Sequence, residues 1–251
     1  MPSWYRDGAT YDRISEPLER IGRDVLERLQ LRGDETVLDA GCGSGRVTEA
    51  LCERLPRGHV IGVDGSAEML AAARRRLGEH VELLHQDLEC LELGGRRVDA
   101  VLSTATFHWI TDHDALFRGL RASMRTGAQL VAQCGGAGNT PELLSATRAL
   151  GARRPFAEYL GGWAGPWNYA TPKQTAERLQ SAGFSDVRTW LISLPAPYEE
   201  LREWLATNAL TAHTARLPDA LREPFIDAVA ELIGEDSPVT YIRLNIDATA
   251  A

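Results

Sequence analysis

Three aspartates close three successive apolar runs: Asp39 after 36–38, Asp64 after 59–63 and Asp87 just beyond 81–85. Between the first two lies AGCGSGR, with Gly41, Cys42, Gly43 and Gly45 packed into five positions. A strand that runs into a glycine turn and then opens a helix holds a charged small molecule against bare backbone, because glycine accepts φ > 0 and has no Cβ. Two ligand classes compete for such a turn. A dinucleotide needs G-x-G-x-x-G, but the glycines here read G-x-G-x-G and Arg46 takes the place of the third dinucleotide glycine. A P-loop needs Gly-Lys-Ser/Thr, and no lysine follows. Asp39 beside the turn repels pyrophosphate and suits a cationic ligand. A single aspartate at a strand end is usually a helix cap; three at consecutive strand ends are hard to explain that way.

The elements that must position these residues alternate. Strands are expected at 36–40, 59–63, 81–85, 98–102, 128–134, 185–193 and 239–247. Helices are expected at 17–30, 45–54, 66–77, 114–125, 140–151, 172–183, 197–209 and 218–234, with Thr171-Pro172-Lys173-Gln174 as a capping-box start. This is the βαβ pattern of a parallel sheet with helices on both faces. In the last strand Tyr241, Arg243 and Asn245 alternate with Ile242, Leu244 and Ile246, the half-buried pattern of an antiparallel edge. Residues 152–170 read as loop.

At 251 residues and 44% hydrophobic, the chain can bury a sizeable core. A net charge of −8 argues against nucleic acid or an anionic membrane as main partner. No apolar run approaches the ~18 residues of a membrane span. Cys42, Cys52, Cys90 and Cys134 show no C-x-x-C spacing, so no metal site is signalled and free thiols are expected. The N-terminus has no apolar signal core, which points to the cytoplasm. Lys173 is the only lysine beside abundant arginine, a bias that suggests a GC-rich bacterial source.

With VLDAGCGSG, VIGVDGSAEML, HQDLE and STATFHWI at four successive strand ends, the chain resembles the class I S-adenosylmethionine-dependent methyltransferases. FHWITDHDALFRGLRASMRTGAQLVAQ and WNYATPKQTAERLQSAGFSDVRTW resemble the trans-aconitate methyltransferase-like branch. The resemblance covers nearly the whole chain. It implies an α/β fold: a Rossmann-like, mostly parallel seven-stranded sheet with helices on both faces, an antiparallel last strand and a helical cap. A single domain is expected, with an N-terminal cover over 1–30, a cofactor core over 31–151 and cap insertions at 152–170 and 195–236.

The resemblance also implies the cofactor, S-adenosylmethionine, and its site: Asp39, Gly41, Cys42, Gly43 and Gly45 at the turn, Asp64 and Gly65 at the ribose, Met69 against the adenine, Asp87 and Leu88 at its edge, Ser103 and His108 near the methyl group, and Tyr11 in a covering segment. His108 and Trp109 are the candidate catalytic pair; His108 either takes a proton or hydrogen-bonds the cofactor. Trp163, Trp167, Tyr169 and His213 are candidate walls of the acceptor pocket, with core packing as the ordinary alternative for loop aromatics. Arg153 and Arg154 open the same loop and offer forks for an acid, although a solvated position is the usual one. Ser103-Thr104-Ala105-Thr106 stands where methyltransferases of bases or glutamine often carry Asn/Asp-Pro-Pro-Tyr/Phe. A small-molecule acceptor follows, first a carboxylate oxygen, then a natural-product carbon or phenol oxygen. A cofactor-binding protein without catalysis is the alternative from another class.

Overall fold

A computed structural model describes residues 16–196, 201–234 and 237–251. Tyr11 lies outside them. The described chain runs α1 (Glu16–Leu26), β1 (Thr36–Ala40), α2 (Arg46–Glu53), β2 (His59–Asp64), α3 (Ala67–Leu77), β3 (Glu82–His85), β4 (Val98–Thr104), α4 (His113–Ala122) and β5 (Met124–Gly135). There follow α5 (Pro141–Gly151), α6 (Ala157–Leu160), α7 (Pro172–Ser181), β6 (Phe184–Ala196), α8 (Leu201–Trp204), α9 (Thr211–Thr214), α10 (Asp219–Ile233) and β7 (Val239–Ala250).

The seven strands form one sheet in the order β3-β2-β1-β4-β5-β7-β6. The pairs among β1 to β5 are parallel, and β7 runs antiparallel to both neighbours. Successive residues of β1 feed opposite layers, as the two-residue strand period requires. Val37 packs with Val25, Leu29, Leu51 and Leu77 under α1 to α3, and Leu38 with Phe107, Phe117, Leu120 and Leu179 under α4 and α7. From β1 the chain winds outward through β2 and β3, then returns to lay β4 on the other side of β1. This reversal opens a crevice at the strand ends, where ligands of open α/β sheets bind.

Four expectations are corrected. The last strand is not an edge: β7 sits between β5 and β6, and β6 takes the edge. Tyr241, Arg243 and Asn245, the polar positions of that half-buried pattern, are all buried: Tyr241 packs in the cap, and Asn245 lies against Arg28 and Gln133. The cap also begins earlier than 152, since Leu143 and Ala146 of α5 pack with Phe156, Trp204, Phe225 and Tyr241. The helix expected over 197–209 breaks instead into α8, a π-helical turn over Leu205–Ala209, and α9.

Candidate active site

The glycine turn is built by local bonds. The N–H groups of Gly41 and Cys42 both donate to the Val63 carbonyl, at 2.8 and 3.0 Å, which ties the ends of β1 and β2. Gly41, Gly43 and Gly45 all have positive φ, at 89°, 54° and 85°. Their surroundings differ. A Cβ on Gly41 would stand 2.1 Å from the Thr106 hydroxyl oxygen, and one on Gly45 2.8 Å from Leu77. A Cβ on Gly43 would meet nothing within 4 Å. Thus two of the three glycines serve the fold, and Gly43 leaves open the face on which a ligand can lie.

The acids are set around this turn. Asp64 is 1% exposed and accepts from the N–H of Gly43 (2.9 Å) and of Ser66 (2.8 Å). Burial raises its pKa against the pull of those two bonds. Gly65 follows it, and Ser66 caps α3 by accepting from the Met69 N–H, which buries Met69 beside the strand end. Asp39 accepts from the Thr48 hydroxyl at 2.7 Å through one oxygen; its other oxygen is buried with no hydrogen-bond partner among the described residues. Burial, with the neighbouring Asp64 charge adding to it, raises the Asp39 pKa to about 7. Asp87 is exposed and caps the short turn Leu88–Cys90 by accepting from the Glu89 N–H at 3.0 Å. The Leu88 side chain lies in the main core. Cys42 is buried, and burial pushes its thiol well above the usual range, so it is inert at neutral pH.

The end of β4 forms the opposite lip. Ser103 does not present its hydroxyl to a ligand: Oγ donates to the Ala40 carbonyl at 2.6 Å and ties β4 to β1. Thr106 spans the same gap, donating to the carbonyls of Gly41 (3.2 Å) and Thr104 (2.9 Å). Between them Ala105 is held at φ 54°, unusual for a residue with a Cβ, by its N–H bond to the Gln133 carbonyl (2.7 Å). The chain therefore turns sharply and drives His108 inward.

His108 is buried, and burial, helped by the positive charge of Arg243, holds its pKa well below the usual value. Its Nδ1 accepts from the Gly135 N–H at 3.2 Å, so the neutral ring carries its proton on Nε2. The ring stacks on Tyr169 with centroids 5.8 Å apart and lies 5.3 Å from Trp109. Tyr169 in turn stacks on Trp167. His113 is buried and bonded to the Phe107 carbonyl.

These aromatics wall a pocket that reaches from Ala105 to the cap. It is lined by His108, Trp109, Asn139, Thr140, Leu143, Trp167, Tyr169, Trp204, Asn208, Ala209, Tyr241 and Arg243. Of the four residues expected at the acceptor pocket, Trp167 and Tyr169 line this cavity. Trp163 and His213 line a neighbouring cavity with Arg148 and Trp167. Arg153 and Arg154 are exposed and line neither.

The arginine in the pocket is Arg243, 3% exposed. Its Nε donates to Gln133 Oε1 at 3.3 Å, Gln133 Nε2 donates to Asn245 Oδ1 at 2.9 Å, and Arg28 donates to the same oxygen. No carboxylate of the described residues pairs with Arg243. Sequence reading missed Arg243, Asn208, Asn139 and Tyr241. The one available signal was the polar alternation in TYIRLN, which looks the same whether that face meets water or a cap.

A model of the methyltransferase domain matches residues 37–127. The uncharacterized methyltransferase C70.08c of Schizosaccharomyces pombe is 30% identical over 91% of this chain and 90% of its own length. The trans-aconitate 2-methyltransferase of Methylobacterium nodulans is 31% identical over 76% of this chain and 68% of its own. In fold, the chain is similar to phosphoethanolamine N-methyltransferase 2 of Haemonchus contortus, solved with S-adenosylhomocysteine, at a TM-score of 0.59 and 20% identity over 92% of this chain and 52% of that one. With the strand-end crevice, these likenesses identify the chain as an enzyme of the class I S-adenosylmethionine-dependent methyltransferase family, in the branch of the trans-aconitate 2-methyltransferases.

Proposed function

We propose that this enzyme transfers the methyl group of S-adenosylmethionine to a carboxylate oxygen of a small organic acid. The observation that carries the reading is Arg243: a buried guanidinium, without a paired carboxylate among the described residues, in a pocket that opens at the end of β4. A buried cation needs a counter-charge, and an acidic ligand provides one with matching fork geometry. The trans-aconitate 2-methyltransferases among the relatives agree with an acid as acceptor.

The residues present fit the cofactor. Gly43 offers an open backbone face, and the unpartnered oxygen of Asp39 suits an ammonium group. Asp64 retains lone pairs for ribose hydroxyls beyond the two it uses for Gly43 and Ser66. Asp87, exposed just beyond β3 with one oxygen accepting from Glu89, would face the adenine amine, and Met69 would lie against the ring. When bound, the cofactor supplies an electrophilic methyl group on sulfur. The chain's part is placement and exclusion of water. Arg243 orients the acid, Trp109, Trp167 and Tyr169 shield the site, and Ala105 sets the lip between acceptor and donor. A carboxylate is already ionised and needs no base. His108 agrees with this: its free nitrogen holds a proton and can donate a hydrogen bond, not remove a proton from a phenol or carbon acid. The test is incubation with the cofactor and a panel of small acids, phenols and carbon acids, with mass spectrometry of the products. A base-labile methyl ester is expected; methylation of phenols or carbon acids alone would overturn the reading.

A further inference from the structure

Asn208 sits in the same pocket as Arg243, on the π-helical turn closed by the Leu210 N–H bond to the Leu205 carbonyl at 2.8 Å. Such turns insert an extra residue into a helix and recur at functional sites. Asn208 is 8% exposed, and both its Oδ1 and its Nδ2 are buried without a hydrogen-bond partner from the described residues. Turning the amide over exchanges the two atoms and leaves both unpaired. Polar side chains this deep are ordinarily paired, because burial strips their water. The chain therefore keeps, at one point of the acceptor pocket, a group that demands a donor and an acceptor together.

This demand differs from that of Arg243, which only donates. An ionised carboxylate only accepts. A second carboxylate of the substrate would satisfy the Asn208 amide N–H and leave its carbonyl oxygen bare. A hydroxyl both donates and accepts, and answers both atoms. We infer that the acceptor is a hydroxy acid: Arg243 holds a carboxylate, and Asn208 reads a hydroxyl on the same small molecule. This rests on the reading of the pocket as an acid site and narrows it to one class of acid.

The test separates recognition from turnover. Matched acids with and without a hydroxyl (malate and succinate, citrate and tricarballylate, 3-hydroxybutyrate and butyrate) are titrated calorimetrically into the protein loaded with S-adenosylhomocysteine. In at least one pair the hydroxy member binds about 100-fold tighter, because a site built around a hydroxyl is left with unpaired groups by the analogue that lacks it. In Asn208→Leu that ratio collapses toward one. Arg243→Met weakens both members of the pair and leaves their ratio in place. Because the leucine removes two unpaired polar atoms at similar volume, the ligand-free Asn208→Leu protein melts at a higher temperature than the parent. Equal affinities within every pair, absence of binding by all six acids, or an unchanged ratio in Asn208→Leu overturns the inference. The wild-type comparison stands even where a variant does not fold. Should hydroxy acids bind selectively but yield no ester, the proposed reaction fails while the recognition holds.

Discussion

The two sides of the active site are built on opposite terms. At the glycine turn, polar groups are mostly satisfied by neighbours close in sequence or on the adjoining strand: Asp64 by Gly43 and Ser66, Ser103 by Ala40, and the Gly41 and Cys42 N–H groups by Val63. In the acceptor pocket, the walls come from segments as distant as Ala105 and Arg243, and Asn208 is left without protein partners among the described residues. A rigid, self-satisfied site suits a ligand that never changes. A site that leaves groups unpaired waits for its ligand to complete it, and so discriminates among ligands.

This contrast is open to attack. The largest effect is expected at Arg243. Replacement by Met should lower kcat/KM for the acid by about 3–5 kcal/mol, on the order of 1000-fold, through loss of the buried charge pair. S-adenosylhomocysteine affinity should hold steady in calorimetry, and a parallel loss of cofactor binding would erase the division between the two sides. Next comes Asp64→Ala, which removes a charged acceptor of two backbone N–H groups. S-adenosylmethionine binding should weaken by about 3 kcal/mol, roughly 100-fold.

The glycines separate fold from ligand. Gly41→Ala, driven against Thr106 at positive φ, should cost about 2 kcal/mol of stability. Gly43→Ala should cost only about 1 kcal/mol, from φ alone, while disturbing cofactor binding more than Gly41→Ala disturbs it at equal stability. Thermal melts and titrations of the pair decide this.

The smallest effect is one of pH. Asp39 has a folded pKa of about 7, raised from the ordinary carboxylate value, so the ligand-free protein binds the extra proton and loses stability as pH rises from about 4 through 7. Binding of a cationic ligand runs the other way, since it needs the ionised form. S-adenosylmethionine affinity should rise about tenfold between pH 6 and 8 and level off above, and Asp39→Asn should flatten the curve. A flat curve in the parent would remove Asp39 from the ammonium site.

Much of the first side was legible in the chain, because its chemistry is local. Asp39 and Asp64 each end a strand, and the glycines between them need no distant partner to be recognised as a turn. Even so, the turn's glycines could not be told apart without Thr106 and Leu77 in place. The second side was less legible. Tyr241, Arg243 and Asn245 alternate as a half-buried edge strand would, and only the position of β7 inside the sheet, with the cap over Tyr241 and Arg28 against Asn245, turns that stripe inward. Asn208 lies in a segment with helical spacing, and nothing in it announces the π-helical turn that carries it into the pocket lining.

By itself, then, the sequence determined the βαβ order, the strand-end acids and the donor of the methyl group, since hydrophobic period, turn glycines and strand-end carboxylates act within a few residues of one another. The tertiary structure decided which of the turn's glycines has open space beside it, that His108 Nδ1 accepts from the Gly135 N–H, and that Arg243 and Asn208 line one pocket. Those depend on desolvation and on contacts between elements that are not neighbours in the chain, and burial of a polar group becomes a chemical property only once the fold has closed over it.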